Sequence, residues 1–118
     1  MYKSSFTIAA STKDNRQFGS ITCEFNIKKS RAEIISLDVI DSYQRKGIGT
    51  KLMLLALQNI KDKNIKKVYW ISDFKAILFY KRFWGKHSTA SNKGIEFEYV
   101  FERDGDPEEN LKQYHAKE

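Results

Sequence analysis

Residues 37–57, Leu-Asp-Val-Ile-Asp-Ser-Tyr-Gln-Arg-Lys-Gly-Ile-Gly-Thr-Lys-Leu-Met-Leu-Leu-Ala-Leu, constrain this chain more than any other stretch. An apolar, β-branched run (Ile34, Ile35, Leu37, Val39, Ile40) feeds a short polar turn holding Gly47 and Gly49, and a leucine-rich segment begins at once. The pattern is a strand, a turn and a helix in succession. The first turn of a helix leaves backbone N–H groups without intrahelical partners, and the helix dipole adds positive potential there. A phosphate suits such a place. Glycines allow backbone angles that a side chain would forbid and let an anion come close to the main chain, while Arg45, Lys46 and Lys51 add formal positive charge. The same residues also describe a tight strand-to-helix turn with a solvated basic tip. Two familiar nucleotide loops are excluded: Gly49 is followed by Thr50 and then Lys51, the reverse of a Walker A ending, and two glycines do not make the three of a dinucleotide fingerprint.

The rest of the chain bounds the setting. At 118 residues the expectation is one domain over 1–118, with room for a single core. No apolar stretch approaches the ~20 residues of a membrane span, and no signal-peptide core follows Met1-Tyr2-Lys3-Ser4-Ser5, so a cytoplasmic protein without a membrane partner is expected. The lone Cys23 reads as a small buried strand residue, and with His87 and His115 far apart no metal site is expected. Residues 1–103 hold 19 Lys+Arg against 10 Asp+Glu, whereas 104–118 hold 2 against 5. A basic body with an acidic tail favours an anionic cofactor. Its lysines are scattered rather than massed, so nucleic acid is not the expected partner.

Periodicity supplies the elements. Residues 6–10 suit a strand and 12–16 a turn; Ile21, Cys23, Phe25 and Ile27 then alternate with polar residues, the mark of a strand with one buried face. Residues 28–31 form the next turn. Residues 32–40 make a central strand apolar enough to be covered on both faces near its middle. From Ile48 to about Lys61 a helix presents Ile48, Leu52, Leu55, Ala56 and Ile60 on one face, with Asn64 suited to a left-handed cap. A strand over 66–72, reached through that helix, should run parallel to the central one. Residues 75–84 read as a second helix ending near Gly85, 88–93 as a loop, and Ile95, Phe97, Tyr99 and Phe101 as the inward side of a last strand. Asp106-Pro107-Glu108-Glu109 resembles a helix start, so the tail is either a short helix or frayed.

Gln44-Arg45-Lys46-Gly47-Ile48-Gly49 resembles the Gln/Arg-x-x-Gly-x-Gly/Ala loop of the GNAT superfamily of N-acetyltransferases. The likeness extends upstream to Leu37-Asp38-Val39, where the family places Leu-x-Val, and downstream to Asp73-Phe74-Lys75-Ala76-Ile77-Leu78-Phe79-Tyr80, similar to its Asn-x-x-Ala-x-x-Phe-Tyr. It covers about residues 32–80 in order and spacing. The resemblance implies an α+β fold: a mixed, mostly antiparallel twisted sheet with a central strand-loop-helix-strand crossover. Members usually carry a helical segment between their first two strands. Here only the turn at 13–16 stands there, so the N-terminal helical region is reduced and the acceptor side should be open.

The resemblance also implies chemistry: an amine attacks the thioester of acetyl-CoA, the co-substrate, within a ternary complex. The acceptor would be a primary amine on a small molecule or on a protein or peptide. Backbone and side-chain groups of Gln44, Arg45, Lys46, Gly47, Ile48, Gly49 and Thr50 would hold the diphosphate, with Leu37, Val39, Asp73 and Tyr80 along the rest of the carrier. Tyr80 would protonate the leaving sulfur; its alternative is a core aromatic beside Phe79 and Phe83. Ala32-Glu33-Ile34 is similar to the Ala-Glu-Ile of histone-type members, which makes Glu33 the candidate base, or else an exposed carboxylate beside Arg31. Asp38 and Glu24 are weaker candidates. Two departures stand out: Asp73 replaces the family's Asn, and Trp84-Gly85 stands where Gly-Phe is usual. Other functions compatible with the chain are a CoA-binding regulator without catalysis and, behind it, a basic nucleic-acid-binding module.

Overall fold

Period-two alternation through the N-terminal third produces an antiparallel meander of three strands, β1 (Ser4–Ser11), β2 (Gln17–Asn26) and β3 (Arg31–Val39). The computed structural model describes residues 4–44, 46–84 and 86–116, apart from the side chains at 82, 83 and 113–116. After β3 come a 3-10 turn (Asp41–Tyr43), helix α1 (Ile48–Asp62) and β4 (Lys67–Ser72). Helix α2 (Ile77–Phe83), β5 (Ser88–Ser91), β6 (Gly94–Val100), a single-turn α3 (Phe101–Asp104) and α4 (Pro107–Ala116) complete the order. The six strands lie in the order β1-β2-β3-β4-β6-β5, and β3 with β4 is the parallel pair, as a helical crossover requires.

Helix α1 lies on one face of the sheet and buries Leu52, Met53, Leu54, Ala56, Leu57 and Ile60 against Ile21, Cys23, Ala32 and Ile34. Each of the leucine, isoleucine and methionine side chains among them contributes about 1.5–3 kcal/mol on leaving water. The buried arc of α1 differs in detail from expectation. Leu55 is on the helix's exposed side rather than its buried one, whereas Leu54 and Met53 are covered, because α4 packs beside α1 and widens its buried arc. The turn after α1 closes on Asn64 at φ 63°, the expected left-handed residue. Burial pushes the Cys23 thiol up to about 12, so it is an inert member of this core.

Among the described residues no helix covers the other face, which is bare. Ser5, Thr7, Thr22, Glu24, Glu33, Asp38, Tyr69, Glu96 and Glu98 stand on it, each opposite another polar residue or an exposed isoleucine in the register. The central strand is therefore covered on one side, not on both. Its apolar run misleads because a bulge sits inside it: Thr22 pairs with Ser36 and Cys23 with Ile34, so Ile35 is an extra residue. Ile34 and Leu37 both turn to the helices, while Ile35 is left 51% exposed.

Residues 88–93, expected as a loop, contain the edge strand β5, a four-residue piece whose side chains are all exposed; no apolar alternation could announce it. Phe101 leaves the last strand for α3, since the Asp104 carboxylate accepts the N–H of Val100 (2.9 Å) and so caps that turn. Asp104 is buried. Burial raises its pKa, but the Arg103 guanidinium, the Val100 N–H and His87 outweigh that and hold the carboxyl below the usual range. The tail's helical alternative is the one observed: Asp106 accepts the N–H of Glu109 (3.1 Å) and Pro107 opens α4. The expected stop of α2 at Gly85 falls outside the described residues. None of the described helices is long and apolar enough to cross a membrane.

Candidate active site

Strands β3 and β4 pair over three residues only, Arg31 to Glu33 against Lys67 to Tyr69. Beyond them the strands part, and the bulge at Ile35 bends β3 where the pairing ends. Between the diverging strands lies a cleft of about 290 Å³, walled by residues 34–38 of β3, 70–73 at the end of β4, and Ala76 and Tyr80 beyond it. Backbone groups that would have met in a ladder line its sides.

At the mouth of the cleft the chain turns into α1. Gly47 takes the left-handed conformation (φ 81°) just before the helix, and a Cβ built there would meet nothing within 4 Å. The N-cap residue, Gly47, offers no side-chain cap, so among the described residues the N–H groups of the first turn, Ile48 to Thr50, keep their donors for something outside the helix. Lys46 holds its ammonium 5.5 Å from the Tyr43 ring, itself stacked on Phe18 at 4.3 Å. This stack fixes the turn onto β2. Gln44 does not reach outward: its amide donates to the carbonyl of Val39 (2.8 Å) and to Asp41 (3.2 Å). It thereby ties the end of β3 to the loop. Arg45 lies outside the described residues.

Ile40 donates its N–H to Phe18, on the β2 side. Neighbouring backbone groups alternate along a strand, so those of Val39 point away from β2, toward the cleft. With the carbonyl taken by Gln44, the N–H of Val39 is the available group.

Tyr80 is 8% exposed and packs against Trp70 (ring centroids 5.5 Å), Phe97 (5.6 Å) and Phe79 (5.0 Å). Burial, then the carboxylates of Asp73 and Asp38, push its phenol up to about 12. Phe79 in turn touches α1, where a Cβ on Gly49 would lie 3.7 Å from its ring. Asp73 accepts the N–H of Ala76 (2.9 Å), starting the turn that leads into α2. An Asp serves that cap as well as an Asn, which accounts for the departure at this position. Beside Tyr80, the Trp70 indole nitrogen is buried with no hydrogen-bond partner among the described residues.

Glu33 is elsewhere. It stands half-buried on the bare face, opposite Glu24 and 3.5 Å from the Arg31 guanidinium, in a separate hollow at the β2–β3 hairpin. Asp38, not Glu33, shares the cleft with Tyr80. Leu37, Asp73 and Tyr80 thus line one opening, Val39 and the loop follow Leu37 in the chain beyond that lining, and Glu33 borders a different hollow. The Gln44 tie and the Asp73 cap were not foreseen; an Asp three residues before Ala76 was the available signal for the second. Among the described residues no group of three His, Cys, Asp or Glu could hold a metal ion.

Comparison with known proteins places this arrangement. The profile described as the Acetyltransferase (GNAT) family matches residues 2–85. Among solved structures, Tetrahymena GCN5 superposes with a TM-score of 0.72 at 19% identity, over 81% of this chain and 68% of that one. An acetyltransferase from Bacillus cereus gives 0.71 at 22% identity, over 83% and 74%. PaiA N-acetyltransferase from Thermoplasma acidophilum, solved in complex with coenzyme A, gives 0.68 at 21% identity, over 81% and 60%. At these identities the likeness is one of fold. No curated protein sequence matches the chain.

Proposed function

Because the chain belongs to the GNAT acetyltransferase family, and so to an acetyl-transferring class of enzymes, we propose that it moves the acetyl group of acetyl-CoA to a primary amine by direct attack in a ternary complex. The observation that carries this reading is an uncapped helix start with a left-handed glycine opening beside the cleft between β3 and β4. Five successive main-chain donors, from Lys46 to Thr50, are suited to a diphosphate, and the empty volume around Gly47 leaves room for its oxygens. Lys46 adds charge, and Arg45 joins it on sequence position. Two fold neighbours, PaiA and Tetrahymena GCN5, were solved with coenzyme A, in keeping with that cargo.

The thioester supplies an activated acetyl group; this chain's residues place it and manage protons. The Val39 N–H, turned away from β2, is the proposed donor to a carbonyl bound at the cleft that Leu37 lines. Gln44 and Asp73 act at one remove, the first by anchoring the loop to β3 and the second by capping the turn that presents Tyr80. A phenol held near 12 stays protonated throughout the neutral range, so Tyr80 offers its O–H to the departing sulfur as a hydrogen-bond donor and passes the proton only as negative charge develops there. The acceptor must lose a proton before it attacks: an alkylamine with a pKa of ~10.4 is neutral in about one molecule per thousand at pH 7. Glu33 is the proposed base, working from the bare face through which the acceptor enters, and Asp38 is the carboxylate nearer the cleft.

A second reading, a CoA-binding regulator without turnover, is favoured by the distance in structure between Glu33's hollow and the cleft and by the high value at Tyr80. Labelled acetyl-CoA incubated with polyamines, amino sugars, amino acids and peptides separates the two. Product with any of them supports the transferase; saturable CoA binding with no product across the set supports the regulator.

A further inference from the structure

The sheet has two edges, β1 and β5, and they are built differently. Strand β5 is four residues long and is flanked by Lys86 and Lys93, the short, charged kind of edge that resists pairing with another chain. Strand β1 is eight residues, Ser-Ser-Phe-Thr-Ile-Ala-Ala-Ser, with no charged residue, no proline and no glycine in a chain that is 31% charged. Its register with β2 is unbroken from Ser4 to Ala10, and the irregularity comes only at Ser11. Among the described residues no strand lies on its outer side. A long, regular, uncharged edge offers unpaired N–H and C=O groups to any strand that can match it.

We propose that this edge is an interface between two copies of the chain, β1 pairing antiparallel with β1 about a two-fold axis. The strand's own pattern favours itself as the occupant. Centred on Ile8, the pairing sets Ile8 against Ile8 and Phe6 against Ala10 on the helix-covered side, a large residue against a small one. On the bare side it sets Thr7 against Ala9, and Ser5 against Ser11. No two charges meet anywhere along it. An extended partner carrying lysines or carboxylates would gain nothing from such an edge, whereas an identical strand matches it on both faces. Phe6 and Ile8 are only partly buried in one copy, beside α1, and the second copy would extend the cover over them. The product is a continuous twelve-stranded sheet, twice the six of one chain, with the bare faces on the same side. Each cleft lies between the third and fourth strands from the seam, so both stay open.

One strand pair is a small interface, which sets the association in the micromolar range, about 1–100 μM. Sedimentation of the whole chain between 1 and 500 μM should show a concentration-dependent dimer. The double variant Thr7→Lys with Ala9→Lys places ammonium groups opposite one another across the axis. It should stay monomeric to at least ten times the wild-type midpoint while retaining its far-UV dichroism. Amide exchange of the wild type read at the two ends of the concentration range supplies a check that needs no variant: alternate amides of residues 5–11 should slow as concentration rises. A monomer throughout, a dimer indifferent to both lysines, or outward-facing β1 amides (those not bonded to β2) already protected at the lowest concentration would each overturn the proposal. CoA binding plays no part in these readouts, so their outcome is independent of the catalytic reading.

Discussion

Replacing Gly47 by alanine separates the loop's conformational role from its binding role. The backbone at Gly47 has φ 81°, and an L-residue there costs about 1–2 kcal/mol. A Cβ meets no atom of the protein within 4 Å, so that backbone strain is the whole cost to the unliganded fold. For a domain of this size, 1–2 kcal/mol lowers Tm by about 4–12 °C. The same methyl group projects toward the volume assigned to the diphosphate. Displacing an anion from one charge-assisted bond costs about 1.5–3 kcal/mol, or about tenfold to a hundredfold in Kd for coenzyme A. Gly49→Ala is the internal control. Its Cβ makes an ordinary contact 3.7 Å from Phe79, the residue is already helical, and alanine there gains about 0.5–1 kcal/mol of helix stability. Differential scanning fluorimetry and calorimetric titration on both variants give the four numbers needed. If Gly47→Ala melts lower yet binds coenzyme A as the parent does, the loop is merely a strained turn and the assignment of the donors fails.

Tyr80→Phe keeps the ring packing with Trp70 and Phe97 and removes only the hydroxyl, so coenzyme A affinity should hold while kcat falls about a hundredfold; unchanged kcat removes Tyr80 from the chemistry. For the base, Glu33→Gln and Asp38→Asn are compared through the acidic limb of kcat/KM: the variant that abolishes the limb identifies the group, and a limb surviving in both excludes the pair. Burial raises Cys23 from 9.0 to about 12 in the fold, so its contribution is intact below pH 9 and is lost as pH climbs through 12; Cys23→Ala should flatten the alkaline fall in urea-unfolding stability, and an unaltered slope counts against it. Asp104 has the opposite sign, its carboxyl held low, so its stabilisation is present above about pH 4 and disappears as acid protonates it. Asp104→Asn should lower neutral-pH stability by about 1.5–3 kcal/mol and make the acid limb shallower, read by the same urea titrations.

What the sequence could disclose depended on whether a residue's neighbours in space were also its neighbours in the chain. The glycine loop, the α1 register and the parallel return of β4 were legible because each is a local pattern whose geometry follows from spacing. The bare face was legible in part, through the polar alternation of β2 and the short link between β1 and β2. Within β3, however, Ile34-Ile35 reads as double cover, and only the pairing with β2 reveals that one of them is an extra residue. Strand β5 has no internal signal because both its faces are solvated. The location of Glu33 was out of reach for the same reason: its spacing from Gln44 fits a known pattern, but which hollow it borders depends on where β3 stops pairing with β4.

That stopping point links fold and function. A bulge lengthens β3 by one residue against β2 without lengthening it against β4, so the strand must bend, and the side that loses its ladder is the one facing β4. The exposed backbone groups this creates are a liability in a core, yet beside an uncapped helix start they extend one row of donors from the loop into the cleft. Deleting Ile35 would set Ile34, Ser36 and Leu37 in unbroken alternation against Cys23, Thr22 and Ile21, with Ile34 and Leu37 still on the helix side, and would remove the bend where β3 leaves β4. Core register is carried by Ile34 and Leu37 without the extra isoleucine, so its place is explained by the bend alone, and it sits 51% exposed at the centre of the sheet because the bulge turns it out of the alternation.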